Sequence, residues 1–444
     1  MKNWSLGYEV IRTYVRFAFW LTHKNIVVAG QQHLPKGKPI IFAPNHQNAL
    51  MDPLAIVCTN RHQSVWLARA DIFKSKNARS ILKYFKMLPV YRIRDGKENL
   101  SNNEDVFAQV VGLLENKQTV ALFPEAAHSA KRQMLPHKKA IPRIALEAEV
   151  KNGFNLDLQI VPVGIFYSHY WAFNRSLVVQ YGEPIGVGKY QEEYAENPQK
   201  AMLSLRDEIH EKLRHLVIQI DSESHYPAVE TIRELAGEAC SNRKKYSENH
   251  VLNRFFAEQD LMERLTQTEK NSPELFAALI DRVSGYFQEL RKAGFTDLQI
   301  EHAAETRWQL FPLRLLLAIL SLPLFVSGFI FNALPFFAIR SLLRRKVKDI
   351  AFLSTYNFVA GLVVFPIFYL VLCILIFGMT GSFAFSVLAG LFMPFSGKLA
   401  WQLMDFYQRL FIELSLQMGG KAYKNRLKNL VAERTRLIAA ILED

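Results

Sequence analysis

Between residues 23 and 190 short apolar runs alternate with stretches of helical spacing, and that alternation limits the fold more than any other feature. Asn25–Ala29, Ile40–Ala43, Leu88–Ile93, Thr119–Phe123, Leu158–Val163 and Leu177–Tyr181 read as strands. Pro53–Thr59, Lys76–Phe85, Glu104–Glu115 and Pro142–Val150 read as helices. Strands separated by helices predict an α/β domain on a mostly parallel sheet with flanking helices, because parallel neighbours need long crossovers. The run 39–43 ends in Pro44-Asn45, so His46 falls on a loop at a strand's end. Asp52-Pro53 then predicts a helix N-cap followed by proline at the first helical position. An imidazole and a carboxylate thus arrive at one edge of the sheet. A histidine near neutrality can take a proton from a hydroxyl, and a carboxylate can hold its tautomer and stabilise the resulting cation. Asp52 serves equally well as a helix cap alone.

Asn45-His46 followed by Asp52-Pro53 resembles the signature of the glycerolipid acyltransferase family, which includes the glycerol-3-phosphate and lysophosphatidic acid acyltransferases. That signature usually has four residues between His and Asp; this chain has five, Gln47 to Met51. Six positions along an ideal helix would turn the two side chains apart, so the pairing requires an irregular loop. Three further blocks follow in the family's order. Leu88-Pro-Val-Tyr-Arg92 resembles the block whose arginine contacts the acceptor's phosphate, with Arg94 close behind. A guanidinium fork suits a phosphate dianion, although a solvated basic strand end would read the same. Val120-Ala-Leu-Phe-Pro-Glu125-Ala126-Ala-His128-Ser129 resembles the Phe-Pro-Glu-Gly block. Glu125 takes the acidic position that helps hold the acceptor, Ala126 replaces the glycine, and His128 stands where arginine is common. Alanine there raises the question of a positive φ angle. Ile160-Val-Pro162-Val-Gly164-Ile resembles the final block, an apolar strand carrying a proline near the acyl chain, and Tyr181-Gly-Glu-Pro-Ile185 fits the strand after it.

The resemblance implies an O-acyltransferase of phospholipid biosynthesis. The acyl group would come from a thioester (acyl-CoA or acyl carrier protein) and pass to glycerol 3-phosphate or lysophosphatidic acid. His46 would act as general base and Asp52 would orient it. Arg92, Arg94 and Glu125 would bind the acceptor, and Pro162 would line the acyl pocket or shape its strand. Neither a metal nor a cofactor is implied beyond the thioester co-substrate. The competing readings are another acceptor, such as dihydroxyacetone phosphate or a lysophospholipid, and a non-catalytic lipid-binding scaffold that keeps the fold.

Half of the 444 residues are hydrophobic, and the net charge of +13 is clustered at Lys131–Arg143, Arg340–Lys348 and Lys421–Arg436. No zinc-finger, RNA-binding or basic-zipper pattern accompanies these clusters, so nucleic acid is not a predicted partner. Two of them flank apolar spans, which points to anionic headgroups at a bilayer. Cys58, Cys240 and Cys373 are odd in number and far apart, without metal spacing or a disulfide framework. There is no Gly-x-Ser-x-Gly elbow and no P-loop. His210 and His215 are five apart and diverge on a helix, which excludes the zinc-protease pattern.

Residues 1–22 lack a signal-peptide pattern; Trp4 to Leu21 reads as an amphipathic helix, at a membrane surface or packed on the domain that follows. Residues 23–198 form the acyltransferase-like domain, and 199–306 a charged helical extension. Residues 307–400 change to membrane-embedded hairpins. Trp308–Ile339, with three prolines, is read as a hairpin that dips into the bilayer; Tyr356–Gly378 spans it, and Ser382–Phe395 is a shorter partner. Residues 401–444 form a helical tail broken at Gly419-Gly420. Placing Arg340–Lys348 in the cytoplasm predicts a multi-pass membrane protein with its catalytic domain and tail on that side.

Overall fold

The computed structural model describes residues 4–91, 101–305, 308–347, 349 and 352–443. The chain divides into two units: Met1–Gln219 with Asp349–Thr355, and Ile220–Lys348 with Tyr356–Asp444.

One mixed, mostly parallel sheet organises the first unit. Its strands are β1 (His23–Ala29), β2 (Ile40–Pro44), β3 (Val65–Arg69), β4 (Met87–Val90), β5 (Thr119–Ala121), β6 (Gln159–Tyr167), β7 (Arg175–Tyr181) and β8 (Ile185–Gly186). The spatial order is β1-β7-β6-β2-β5-β3-β4, with β8 paired to β6. From β6 through β2, β5 and β3 to β4 every pairing is parallel. β7 returns antiparallel to β6, and β1 runs parallel to β7. All five residues of β2 are buried, the pattern of a strand covered on both faces.

Helices α1 (Leu6–Thr22), α2 (Met51–Thr59), α3 (Lys76–Tyr84), α4 (Asn102–Glu115), α5 (Ala140–Lys151), α6 (Gln191–Glu196) and α7 (Pro198–Arg214) complete the unit. Against one sheet face, Ile41, Val65, Val120 and Ile160 meet Val110 and Leu114 of α4, Ile144 of α5 and Leu205 of α7. On the other face α1 and α2 pack together, and Phe42 of β2 meets the Tyr181 ring at 5.7 Å. Placing α7 in the charged extension is therefore a boundary error: Ala201, Leu205 and Ile209 are a core stripe at helical spacing. β3 is an addition to the strands read from sequence. Its apolar run Val65–Ala68 is short, and Arg69 ends it.

Several features of α1 invert the usual arrangement. Arg12 is buried and donates to the carbonyls of Asn60 and His62, whereas Leu6 and Val10 are 65% and 63% exposed. An apolar stripe therefore faces outward from the unit.

The second unit is helical: α8 (Tyr226–Arg243), α9 (His250–Asn271), α10 (Pro273–Ala293), α11 (Asp297–Ala304), α12 (Phe311–Lys346), α13 (Leu353–Thr380, whose first residues belong to the first unit), α14 (Phe383–Met418) and α15 (Lys421–Glu443). Buried Arg233 of α8 pairs with buried Glu258 of α9 at 2.5 Å, and Gly237 leaves the room that this carboxylate occupies. α15 packs on α8, α10 and α11, and Arg434 bonds Asp297 at 3.0 Å.

Three helices among the described residues are long and apolar enough to cross a membrane: α12, α13 and α14. The hairpin expected over Trp308–Ile339 is replaced by one continuous helix, α12, that carries Pro323 and Pro335 inside it. Proline there removes a hydrogen bond and bends a helix without having to end it. The partner expected at Ser382–Phe395 also runs on to Met418, past Pro394, so the boundary at 400 falls inside a helix; the break at Gly419-Gly420 is where α14 gives way to α15. Small residues allow α12 and α14 to pack closely, with Gly328 against Ser396 and Ala400, and Gly397 against Asn332.

Candidate active site

Strands β2, β5, β3 and β4 deliver their carboxyl ends to one edge of the sheet, the usual place for a ligand site in an open parallel sheet. At the end of β2, Asn45 is locked to β6: its amide nitrogen donates to the Ile165 carbonyl at 3.1 Å and its oxygen accepts from the Ile165 N–H at 2.7 Å. His46 follows. Its Nδ1 lies 2.9 Å from Oδ2 of Asp52, so the predicted pair is brought together.

The extra residue is absorbed where an irregular loop was expected. Ala49 adopts a positive φ of 43°, and the N–H groups of Met51 and Asp52 reach back to the carbonyls of Asn48 and Ala49. Asp52 is not the N-cap, however. That position is Leu50, and Asp52 is the second residue of α2. Its carboxylate turns back over the loop, where Oδ2 also accepts the N–H groups of Gln47 and Asn48, both at 2.7 Å. An oxygen accepting two backbone N–H bonds has no proton to offer the ring, so Nδ1 must be the donor. This leaves Nε2 as the basic nitrogen. The His46 ring stacks on Phe123 (3.8 Å between centroids, 15°) and meets His128 edge-on at 5.4 Å. Burial, and then the His46 charge, hold His128 below the usual histidine range.

Glu125 is 1% exposed, and both its oxygens are engaged: Oε1 accepts from the His46 N–H at 2.9 Å and Oε2 from the Leu135 N–H at 2.8 Å. This carboxylate clamps the loop after β5 to the histidine's own backbone. Burial pushes it up to about 8 and the Asp52 charge adds to this, while the two N–H bonds oppose them. Ala126 has φ 57°, so the position occupied by glycine in the resembled block does require the left-handed region.

Arg92 and Arg94 lie outside the described residues. Tyr91, just before them, is pinned at the end of β4, its N–H and C=O both bonded to the Asn103 side chain at 2.9 and 2.8 Å. Pro162 lies in β6 beside Ala43, and its carbonyl accepts from Gly182, so its missing N–H faces that side and costs the β2 ladder nothing.

Sequence reading missed a second set of residues. Tyr170 donates its hydroxyl to Gln47, and its carbonyl accepts from Asn48 at 3.2 Å and from the buried Arg175 guanidinium. Arg69, at the end of the unforeseen β3, bonds Asp71, and its charge acts on His128. No motif marks Tyr170 or Arg175. Only β3, an apolar run ending in arginine, left a signal.

Residues 25–166 match the family model described as Acyltransferase. The chain is 33% identical over 109 residues to glycerol-3-phosphate O-acyltransferase 2 of Saccharomyces cerevisiae, covering 24% of this chain and 14% of that protein. It is 25% identical over 373 residues to an uncharacterised acyltransferase of Schizosaccharomyces pombe, covering 75% and 53%. It is 24% identical over 142 residues to 1-acyl-sn-glycerol-3-phosphate acyltransferase of Borreliella burgdorferi, covering 32% and 54%. The matched segments thus span about half the length of these relatives at most.

Proposed function

We propose that this chain, a member of the glycerolipid acyltransferase family through residues 25–166, transfers a fatty acyl group from a thioester to a hydroxyl of glycerol 3-phosphate or lysophosphatidic acid. The observation that carries the reading is the His46–Asp52 contact at 2.9 Å, which leaves Nε2 as the basic nitrogen at the sheet edge where the strands end.

A glycerol hydroxyl is a poor nucleophile until its proton is taken, and the thioester supplies an already activated carbonyl. Nε2 of His46 takes that proton as the oxygen attacks the thioester carbon, with Asp52 stabilising the imidazolium through Nδ1. Collapse of the tetrahedral intermediate breaks the C–S bond, and the imidazolium returns the proton to the departing thiolate. Glu125 is a positioning residue in this scheme, since its bond to the His46 N–H fixes where the ring starts. Arg92, with Arg94, supplies the cation for the acceptor's phosphate.

Membrane residence follows from the same reading. Gln219 and Asp349 both belong to the first unit, so the chain between them begins and ends on one side of a bilayer. Only α12 in that stretch, among the described residues, is apolar enough to enter the bilayer, and as one continuous helix it cannot cross and return, so it stays embedded at the near side without crossing. α13 and α14 then form the crossing pair, and the basic end of α12 faces the cytoplasm with the catalytic domain. The exposed apolar stripe of α1 lies at the bilayer surface. Cysteines placed at Thr380 and at Arg345 should label from opposite sides; labelling from one side refutes this topology.

The chemistry is tested by thiol release from acyl-CoA with purified protein, offering glycerol 3-phosphate, lysophosphatidic acid, dihydroxyacetone phosphate and a lysophospholipid in turn. Release that depends on one of the first two and is lost in His46→Ala is the expected result. Release with only the latter two reassigns the acceptor. Equal activity in His46→Ala refutes the mechanism, and no release with any acceptor favours a lipid-binding scaffold.

A further inference from the structure

The helix that carries Asp52 begins without a side-chain cap from its own N-cap residue, Leu50. The Leu50 N–H is instead bonded to Oγ1 of Thr355 at 3.2 Å, a hydroxyl that lies 305 residues further along the chain. Thr355 is in the first turn of α13, one of the three long apolar helices, yet this turn belongs to the first unit. Its neighbour Ser354 is buried and donates to the Tyr170 carbonyl at 2.7 Å, while Arg175 donates to the Ser354 hydroxyl at 3.3 Å. That same Tyr170 carbonyl accepts from Asn48, and the Tyr170 hydroxyl bonds Gln47. Phe352, at the head of the same turn, meets His128 edge-on at 4.8 Å, and His128 in turn faces His46.

Three contacts from one short segment therefore converge on the loop between His46 and Asp52. Thr355 holds the start of α2, Ser354 holds the residue that grips Gln47 and Asn48, and Phe352 backs the His128 wall. The loop itself is strained at Ala49 and has five residues where the resembled signature has four, so its shape depends on what surrounds it. We propose that Thr355, with Ser354 and Phe352 beside it, is a positioning residue of the acyl-transfer site: the head of a membrane helix fixes the geometry of Asp52 against His46. The inference rests on the acyl-transfer reading above for its chemistry, and on the hydrogen bonds alone for its contact. The domain that matches the family then lacks part of its own site, because residues 352–355 lie beyond its segment 25–166.

The test uses the full chain in lipid nanodiscs. Thr355→Val keeps the shape and removes the acceptor, and Thr355→Ser restores a hydroxyl. Thr355→Val should speed hydrogen exchange of the Leu50 amide relative to the parent, and Thr355→Ser should not. In thiol release, Thr355→Val should lower kcat about 5- to 20-fold, the loss of one hydrogen bond, with both KM values within about twofold. Since Thr355 acts through Asp52, the double variant with Asp52→Asn should be no slower than Asp52→Asn alone.

Unchanged exchange at Leu50, an undiminished kcat, losses that multiply in the double variant, or a Thr355→Ser variant as slow as Thr355→Val would each overturn the proposal. A parent that releases no thiol with any acceptor overturns the acyl-transfer reading and the positioning role with it. The exchange result still decides whether Thr355 holds α2.

Discussion

Replacing Asp52 by asparagine separates the charge of this carboxylate from its shape. In the parent, one oxygen accepts the His46 ring and the two N–H groups of Gln47 and Asn48. An asparagine oxygen can occupy the same point and accept all three, and those backbone N–H groups dictate that the oxygen, not the amino group, faces them. The imidazole then keeps its tautomer, with Nδ1 still donating. The change removes the negative charge facing the imidazolium, and a hydrogen bond to a charged group is worth about 1.5–3 kcal/mol. Turnover should fall about 10- to 150-fold, well short of the ~10⁴-fold loss seen where asparagine traps the wrong tautomer. Asp52→Ala should behave differently, since it leaves two buried N–H groups without an acceptor at about 1–3 kcal/mol each. It should unfold at lower temperature as well as turn over slowly. Thiol release under saturating substrates measures the first effect, and thermal unfolding in detergent the second. Asp52→Asn turning over within twofold of the parent would refute the role given to the charge. A loss of four orders of magnitude would show that the backbone N–H groups do not fix the amide.

Arg92→Ala should raise the acceptor KM about ten- to a hundred-fold and leave the thioester KM little changed, with Arg92→Lys recovering only part; steady-state kinetics varying one substrate at a time check it. Ala126→Gly should raise stability by about 0.5–1 kcal/mol, because alanine at φ 57° costs about 1–2 kcal/mol and the added freedom of unfolded glycine returns part of that; denaturant midpoints measure it. Burial lowers His137 to about 4 from an unfolded value near 6.5. Above pH 6.5 both states are neutral and stability is full; between 6.5 and 4 only the unfolded chain binds the proton, so stability falls by at most about 3 kcal/mol. Unfolding midpoints across that range should show the decline, and His137→Phe should flatten it. Changing Leu6 and Val10 to glutamate should weaken binding of the purified protein to anionic vesicles, read by flotation.

The parts of the fold legible in the sequence were those with local signals. β2, β6 and β7 are buried nearly throughout, and each carries a short apolar run, Leu177–Val179 in β7. β3 escaped because its short run ends in charge, and it joins the sheet through β4 and β5 pairings that no local pattern announces. α7 looked solvated because charges dominate its average; its four buried aliphatic positions tell only once the sheet is there to cover them. The hairpin over Trp308–Ile339 was inferred from proline count and length. A long apolar helix tolerates two internal prolines where neighbouring side chains and bends accommodate the lost bonds.

The site shows the same division more sharply. His46 and Asp52 were legible because strand end and helix start each leave a mark, and the loop between them closes to 2.9 Å as the pairing requires. The motif could not reveal what each acid does with its two oxygens. Asp52 has one oxygen bonded to the loop and the ring, whereas Glu125 has both occupied by backbone N–H groups. Each carboxylate oxygen has two lone pairs, and Asp52 Oδ2 alone takes three bonds, so Glu125 can hold both backbone N–H groups and still accept from a ligand hydroxyl. The proposed acceptor-binding set of Arg92, Arg94 and Glu125 is untouched by these bonds, and Arg92 follows Tyr91 just beyond the end of β4.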